Sequence, residues 1–321
     1  GPDGAVYSID WHDTQQCHSN NHAIWDRTNG RIYRMAWKQT YRPVQVDLTK
    51  SSDTELLQFL SHKNEWFARM AQHQLRQRAA NNRLDSATAN ILAEQLFHPQ
   101  NPHRLRALVA LYGINGITKK TYQKLLRSPE ETIRTQAVHY ITEQEHAFSS
   151  EFQNALATLA RTDTSARVRL ALAGACQHRI DPKIAKRLLR SLAMRHEDAA
   201  DQFLPKMIWY AYARFADEDL EEALKLALKS KLPEFSNSVF WYAARKDLNK
   251  AVEYANQLSD PEQISRFIAI VHQVLAGKKT AKAPAGWDKL VLKANSDPAT
   301  QKHFTALNKI FNGQSTNKDT P

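Results

Sequence analysis

Thr162-Asp-Thr-Ser-Ala-Arg-Val-Arg-Leu-Ala-Leu-Ala-Gly-Ala-Cys176 is a polar turn followed by a helix whose buried stripe is mostly small. Val168, Leu172 and Ala175 fall at i, i+4 and i+7, one face of a 3.6-residue period. Asp163, Thr164 and Ser165 each carry a short side-chain oxygen that can accept from a free first-turn N–H. The same pattern is written again in Ser128–Tyr140 and His98–Leu111, and more loosely in Ser61–Leu75. Aligning Arg69, Arg106, Arg134 and Arg169 gives separations of 37, 28 and 35 residues. A helical unit recurring at that interval is the mark of stacked helix pairs. The expected fold is therefore all-α: a HEAT-like α-solenoid of antiparallel helix pairs.

Composition agrees. Only nine of 321 residues are glycine, well below the usual ~7%, which argues against a barrel or sandwich with many tight turns. Mean hydropathy is −0.58, and no apolar run approaches the ~18 residues of a membrane span. Two cysteines cannot build a disulfide framework. The net charge of +11 fits lysines and arginines spread over the outer faces of many helices. A basic groove for nucleic acid, of the kind seen in HEAT-type alkylpurine glycosylases, is the second reading. Basic pairs such as Lys119-Lys120 and Lys278-Lys279 are scattered, however, and no dense basic tract occurs.

Residues 1–46 read differently from the rest. Ala5–Asp10 and Arg31–Trp37 have strand chemistry, with Asn29-Gly30 as a turn signal before the second. Two strands alone are marginal in water, so this N-terminal β-hairpin must pack on the helices or belong to a sheet completed elsewhere. Helices follow through 47–276. Expected caps are Asp53, Asn64 and Asp85 or Ser86, with Gly113 and Gly116 as left-handed C-terminal caps. Gly277–Gly286 has linker composition, 287–311 make a last helix pair, and 312–321 form a disordered tail.

Three groups of residues invite a functional reading. Arg69, Arg106, Arg134 and Arg169 line a binding surface or, as favoured here, form a structural ladder in which each reaches carbonyls or an acid in a neighbouring turn, as Arg169 reaches Asp163. The helix Phe203–Phe215 is the most aromatic; Ile208, Tyr212 and Phe215 share one stripe and read as core rather than as an aromatic cage. Asp10, His12, Asp13, Cys17, His18 and His22 have ligand chemistry for zinc, copper or iron, or for a substrate rim. The adjacent Cys-His pair lacks metal-motif spacing, so the alternative is a loop folded by Asx-type hydrogen bonds, with Cys17 buried or paired outside this chain. No catalytic residue is identified: phosphate loop, serine-elbow, His-Glu-x-x-His and Cys-x-x-Cys-His signatures are all missing.

Asp3–Asp13, then Cys17-His18, then Trp25-Asp-Arg-Thr-Asn-Gly-Arg-Ile-Tyr-Arg34 resemble the last propeller blade of the multidomain, membrane-bound dehydrogenase-like, haem-binding proteins of planctomycete-type bacteria. Leu56–Arg78, Val168–Leu172, Asp201–Tyr210 and Pro284–Trp287 look like that family's repeat region. The resemblance implies a sorbosone-dehydrogenase-like propeller before this chain and a cytochrome c domain with haem c after it. It makes 1–46 a propeller-blade remnant plus linker, and the whole chain a piece of a longer polypeptide. The implied role is a non-catalytic spacer and docking surface in a periplasmic or cell-envelope electron-transfer protein. The chain itself carries no cofactor, and the parent is a sugar-type dehydrogenase. Partners are the other domains of the same polypeptide, or proteins on the concave face. A plain interaction scaffold without a redox connection remains the third reading.

Overall fold

A computed structural model describes residues 1–10, 20–24, 30–143, 149–177, 180–294 and 297–313. Among these residues the chain is mostly helical: sixteen α-helices and one two-stranded antiparallel sheet. It divides into two compact units, Gly1–Thr121 and Tyr122–Pro321. That division falls inside α5 (Lys119–Leu125), not at 46 or in 277–286 where composition changes.

In the first unit, β1 (Val6–Ile9) pairs with β2 (Ile32–Met35) in the register Val6↔Met35 to Ile9↔Ile32. Every residue of both strands is exposed. The chain start is tied to the helices, because the Asn64 side chain donates to the Gly1 and Pro2 carbonyls (3.1 and 3.4 Å). Helices α1 (Asp53–Phe59), α2 (Glu65–Ala80), α3 (Thr88–Phe97) and α4 (Arg104–Gly113) pair as α1 with α2 and α3 with α4. Across the pairs, α1 meets α3 and α2 meets α4.

Three expected caps move. Ala87, not Asp85 or Ser86, precedes α3, which has no side-chain cap; Asp85 accepts instead from the Ala87 N–H (2.8 Å). Ser52, not Asp53, caps α1, in a capping box with Glu55. Asp53 is thereby free to accept from the Asp85 N–H (2.7 Å) and from Arg78. Gly113 is the last residue of α4 and Asn115 takes the left-handed conformation (φ 56°), which asparagine tolerates. Gly116 is needed for a different reason: a Cβ there would lie 2.6 Å from Leu111 Cδ1.

In the second unit, α6 (Glu131–Glu143), α8 (Ala166–Ala175), α10 (Leu204–Glu218), α12 (Pro233–Lys246), α14 (Pro261–Val274) and α16 (Pro298–Phe311) pack each against the next. Of the helices between them, α7 (Ser150–Thr162) meets α9 (Pro182–Ala193); α11 (Leu220–Lys229) meets α13 (Leu248–Ala255), which meets α15 (Trp287–Val291). Sequence neighbours also touch, from α7·α8 through α12·α13. The core lies between these two rows: Leu156, Val168, Leu172, Leu188, Ile208, Leu224 and Val239 are all fully buried. Burying each such side chain stabilises by roughly 1.5–3 kcal/mol. Ile208, Tyr212 and Phe215 are core, with Tyr212 edge-on to Phe235 at 5.7 Å. Residues 277–286 lie against helices, through Ala281 N–H to the Ile310 carbonyl and Asn256 to the Gly286 carbonyl.

Between α14 and α16, His272 Nδ1 and His303 Nδ1 stand 2.8 Å apart, so one ring donates to the lone pair of the other. Burial, then His303, then Lys302 push the His272 imidazole below its ordinary value. The folded state therefore binds fewer protons than the unfolded chain once pH drops below about 6.5, and stability falls as pH falls through that window. Amide-exchange protection of α16 is expected to fall between pH 7.5 and 5, with a smaller drop in His303→Ala; equal protection at both pH values would contradict the pairing.

Candidate functional site

The turns between helices are held by arginines. Arg134 on α6 forks onto Asp163 (Nε–Oδ2 2.8 Å, Nη2–Oδ1 2.9 Å) and donates to the Ser128 and Pro129 carbonyls behind it. Arg169 on α8 repeats the arrangement one unit on: it forks onto Asp198 (Nε–Oδ2 2.6 Å, plus Nη2–Oδ1) and donates to the Asp163 carbonyl (2.8 Å). Both pairs span 29 residues. Side-chain exposure is 3% for Arg169 and 2% for Asp198, so the fork is a dry, bidentate, charge-assisted pair. Burial pushes the Asp163 carboxyl up, but the Arg134 fork and the Ser165 N–H outweigh it and hold it below the ordinary carboxylate value. Arg169 therefore reaches the carbonyl of Asp163, while the Asp163 carboxylate belongs to Arg134.

The other two arginines behave differently. Arg106 reaches back to the α1–α2 turn, donating to the Leu60 and His62 carbonyls (2.9 and 3.0 Å) and pairing with Glu65. Arg69 does not join the set: its side chain is 77% exposed and lies 3.9 Å from Glu65 of its own helix. In α2 the tying role falls to Arg78, which meets Asp53 and the Thr49 and Ser51 carbonyls. Sequence reasoning missed Arg78 and Asp198; the recurring 29-residue Arg-to-Asp spacing was the signal for the second.

Of the ligand-type cluster, His12, Asp13, Cys17 and His18 lie outside the described residues. Asp10 pairs with Arg31 at 3.3 Å, and His22 sits in a single 3-10 turn. Cys176 is buried, which pushes its thiol up to about 12, so it is held as the neutral, unreactive form.

A recessed surface lies on the even-numbered helices. On α8, Arg167, Leu170 and Gly174 follow one another at i, i+3 and i+7, away from the buried Val168 and Leu172. Here α8 lies between α6 and α10. The groove of about 510 Å³ is lined by Thr135 and His139 (α6), Arg167, Ala171 and Gly174 (α8) and Met207 (α10). Gln177 Nε2 lies 2.9 Å from Met207 Sδ at one end. A Cβ added at Gly174 would meet nothing within 4 Å. Farther along the face stand Tyr210, 64% exposed, and Arg245 stacked 5.0 Å over Trp241. A second cavity, about 630 Å³, lies where α11 turns into α12 beside the start of α14. Of its charged lining, Asp260 is engaged in capping α14 and Arg266 in pairing with Glu262.

No protein-family model matches this sequence, and no curated protein is significantly similar to it.

Removing one partner of a buried ion pair leaves the other charge dry and unpaired. Arg169→Ala should therefore cost on the order of 3–5 kcal/mol in a urea titration, whereas Arg69→Ala should stay within about 0.5 kcal/mol. Equal losses would refute the contrast between buried fork and exposed side chain.

Proposed function

We propose that this chain is a non-catalytic helical-repeat scaffold: a HEAT-like α-solenoid whose even-numbered helices present a docking face. The observation that carries the reading is the packing of alternate helices on one another in the second unit, with two successive Arg–Asp forks that each span 29 residues. In a solenoid each unit leans only on its neighbours, and this pattern is what such stacking requires. The outer residues of the even row are then left for a partner.

The resemblance noted above supplies the larger setting. In it the scaffold fixes the distance between an oxidising propeller and a haem c domain in the cell envelope. The hairpin supports that setting on physical grounds, because Val6, Ile9, Ile32, Met35 and Trp37 are each more than half exposed. A strand pair apolar on both faces fits the middle of a larger β body better than open water.

Native-state amide exchange tests the architecture. In a row of helices that lean only on their neighbours, protection should fall in steps from α8 and α10 towards α16; loss of protection over α6–α16 in one all-or-none step would remove the proposal. The chain alone, given a sugar and an artificial electron acceptor, should show no turnover, and enzyme-like rates would overturn the scaffold role.

A further inference from the structure

The cavity of about 630 Å³ is walled by two turns of the second unit. On one side α11 ends at Lys229 and turns through Ser230 and Lys231 into α12; on the other, Leu258–Asp260 leads into α14. Its floor is apolar. Phe240 and Phe267, both buried, meet edge to face at 5.3 Å, and Ile270 extends them by one helical turn. The α11–α12 wall is pinned. Ser230 Oγ and the Lys231 N–H both donate to the Ala193 carbonyl (2.8 and 3.0 Å), and Ser236 Oγ donates to the Ala227 carbonyl (2.9 Å). Little of that wall has to order when a ligand enters. The charge of the lining is one-sided. Lys229, Lys231 and Arg266 stand against a single carboxylate, Asp260. Asp260 accepts from the Glu262 N–H, and Arg266 pairs with Glu262 outside the lining. Lys229 and Lys231 have no carboxylate partner among the described residues, and the half-buried Asn237 amide has no hydrogen-bond partner among them.

We propose that this cavity binds a small organic anion with an aromatic body. The body lies on Phe240, Phe267 and Ile270, where rings meet rings edge-on or offset. Its carboxylate or phosphate meets the Lys229 and Lys231 ammonium groups at the mouth. The volume fits, since small-molecule sites run from roughly 300 to 1,000 Å³ and join an apolar lining to a few polar groups. The position of the charge fits as well. A lysine stem lies along apolar surface while its ammonium stays in water, so the anionic head stays outermost and the body goes in. Bonds from an ammonium to a carboxylate or phosphate are charge-assisted and stronger than neutral ones. An uncharged analogue forfeits them, and a cationic one is repelled by the same two lysines. Such a site does not depend on the scaffold role, because it needs only α11, α12 and α14 in place.

The test is titration calorimetry of the whole chain with compounds that share one ring system: 2-naphthoate, 2-naphthyl phosphate, 2-naphthamide and 2-naphthylmethylamine. Saturable one-to-one binding of at least one anion at millimolar ligand is expected, and the tighter of the two identifies the head group. The amide and the amine should bind about tenfold more weakly or not at all. Lys229→Glu/Lys231→Glu should lower anion affinity by about tenfold or more. Asn237→Trp, which fills the cavity, should remove binding of every compound. Lys278→Glu/Lys279→Glu makes the same change in net charge at exposed positions outside the lining and should leave affinity unchanged. Both lysine pairs are exposed, so their readout stands even where Asn237→Trp fails to fold. Absence of binding by both anions, equal binding of 2-naphthamide, or an equal loss in the two lysine pairs would overturn the site. Amide exchange separates the two levels. Stepped protection without anion binding keeps the scaffold and loses the site, while anion binding with all-or-none exchange does the reverse.

Discussion

The forks from Arg134 to Asp163 and from Arg169 to Asp198 set the spacing of the second unit. Each begins on one even-numbered helix and ends 29 residues later in the turn that launches the next stage of the chain. The arginine also ties down carbonyls at its own entry turn, Ser128 and Pro129 for Arg134 and Asp163 for Arg169. A planar guanidinium accepts few geometries, so two successive turns are fixed in both distance and angle. Burial makes the constraint strict. An exposed pair contributes little, but a dry one leaves an uncompensated charge if the turns separate. Asp163 is the shared node: its carboxylate takes Arg134, and its carbonyl takes Arg169 and also Arg195 (2.9 Å).

The small residues of α8 follow from the same crowding. Its buried side must admit a guanidinium as well as Val168 and Leu172, and it packs between α6 and α10 on both flanks. On the remaining side Arg167 and Leu170 share the surface with Gly174 and Ala175, and the groove lies over them. The packing that makes the row regular thus also makes its surface concave at one place. The aromatic helix α10 does the reverse: Tyr212 and Phe215 fill the core while Phe203 and Tyr210 stand in solvent.

Much of the helical pattern was legible in the sequence, because it is written in caps and periodicity that act within a few residues. Asn64, Ser165, Asp181 and Asp297 each accept from a first-turn N–H of the helix they precede, and α16 spans the expected Pro298–Phe311. What was not legible depends on contacts between distant residues. The repeated arginine pattern placed Arg69 with Arg134 and Arg169, yet α2 uses Arg78, because the turn it must reach lies at its C-terminal end. The imidazole pair of His272 and His303 joins residues 31 apart, and no local rule predicts it. The groove was hidden for a further reason: a gap is defined by what neighbouring helices do, and Gly174 reads in sequence only as a weak helix former.

Ion pairs tie neighbouring helices in both rows of the second unit. The odd helices are stitched to one another along their outer faces. Arg187 on α9 donates to Asn154 on α7 (2.7 Å), Lys186 and Arg190 on α9 both pair with Glu222 on α11, and Lys250 on α13 lies 3.9 Å from Glu221. Their cations already face carboxylates or amides, and a ligand would have to displace those contacts. On the even row, Arg214 is anchored through a carbonyl and Arg245 through a ring face, but Arg167 lies 3.9 Å from Glu131, Lys246 pairs with Asp217 (2.6 Å) and Arg266 pairs with Glu262. The net charge of +11 is therefore spread over both rows rather than collected on one, and its paired members tie neighbouring turns and helices together.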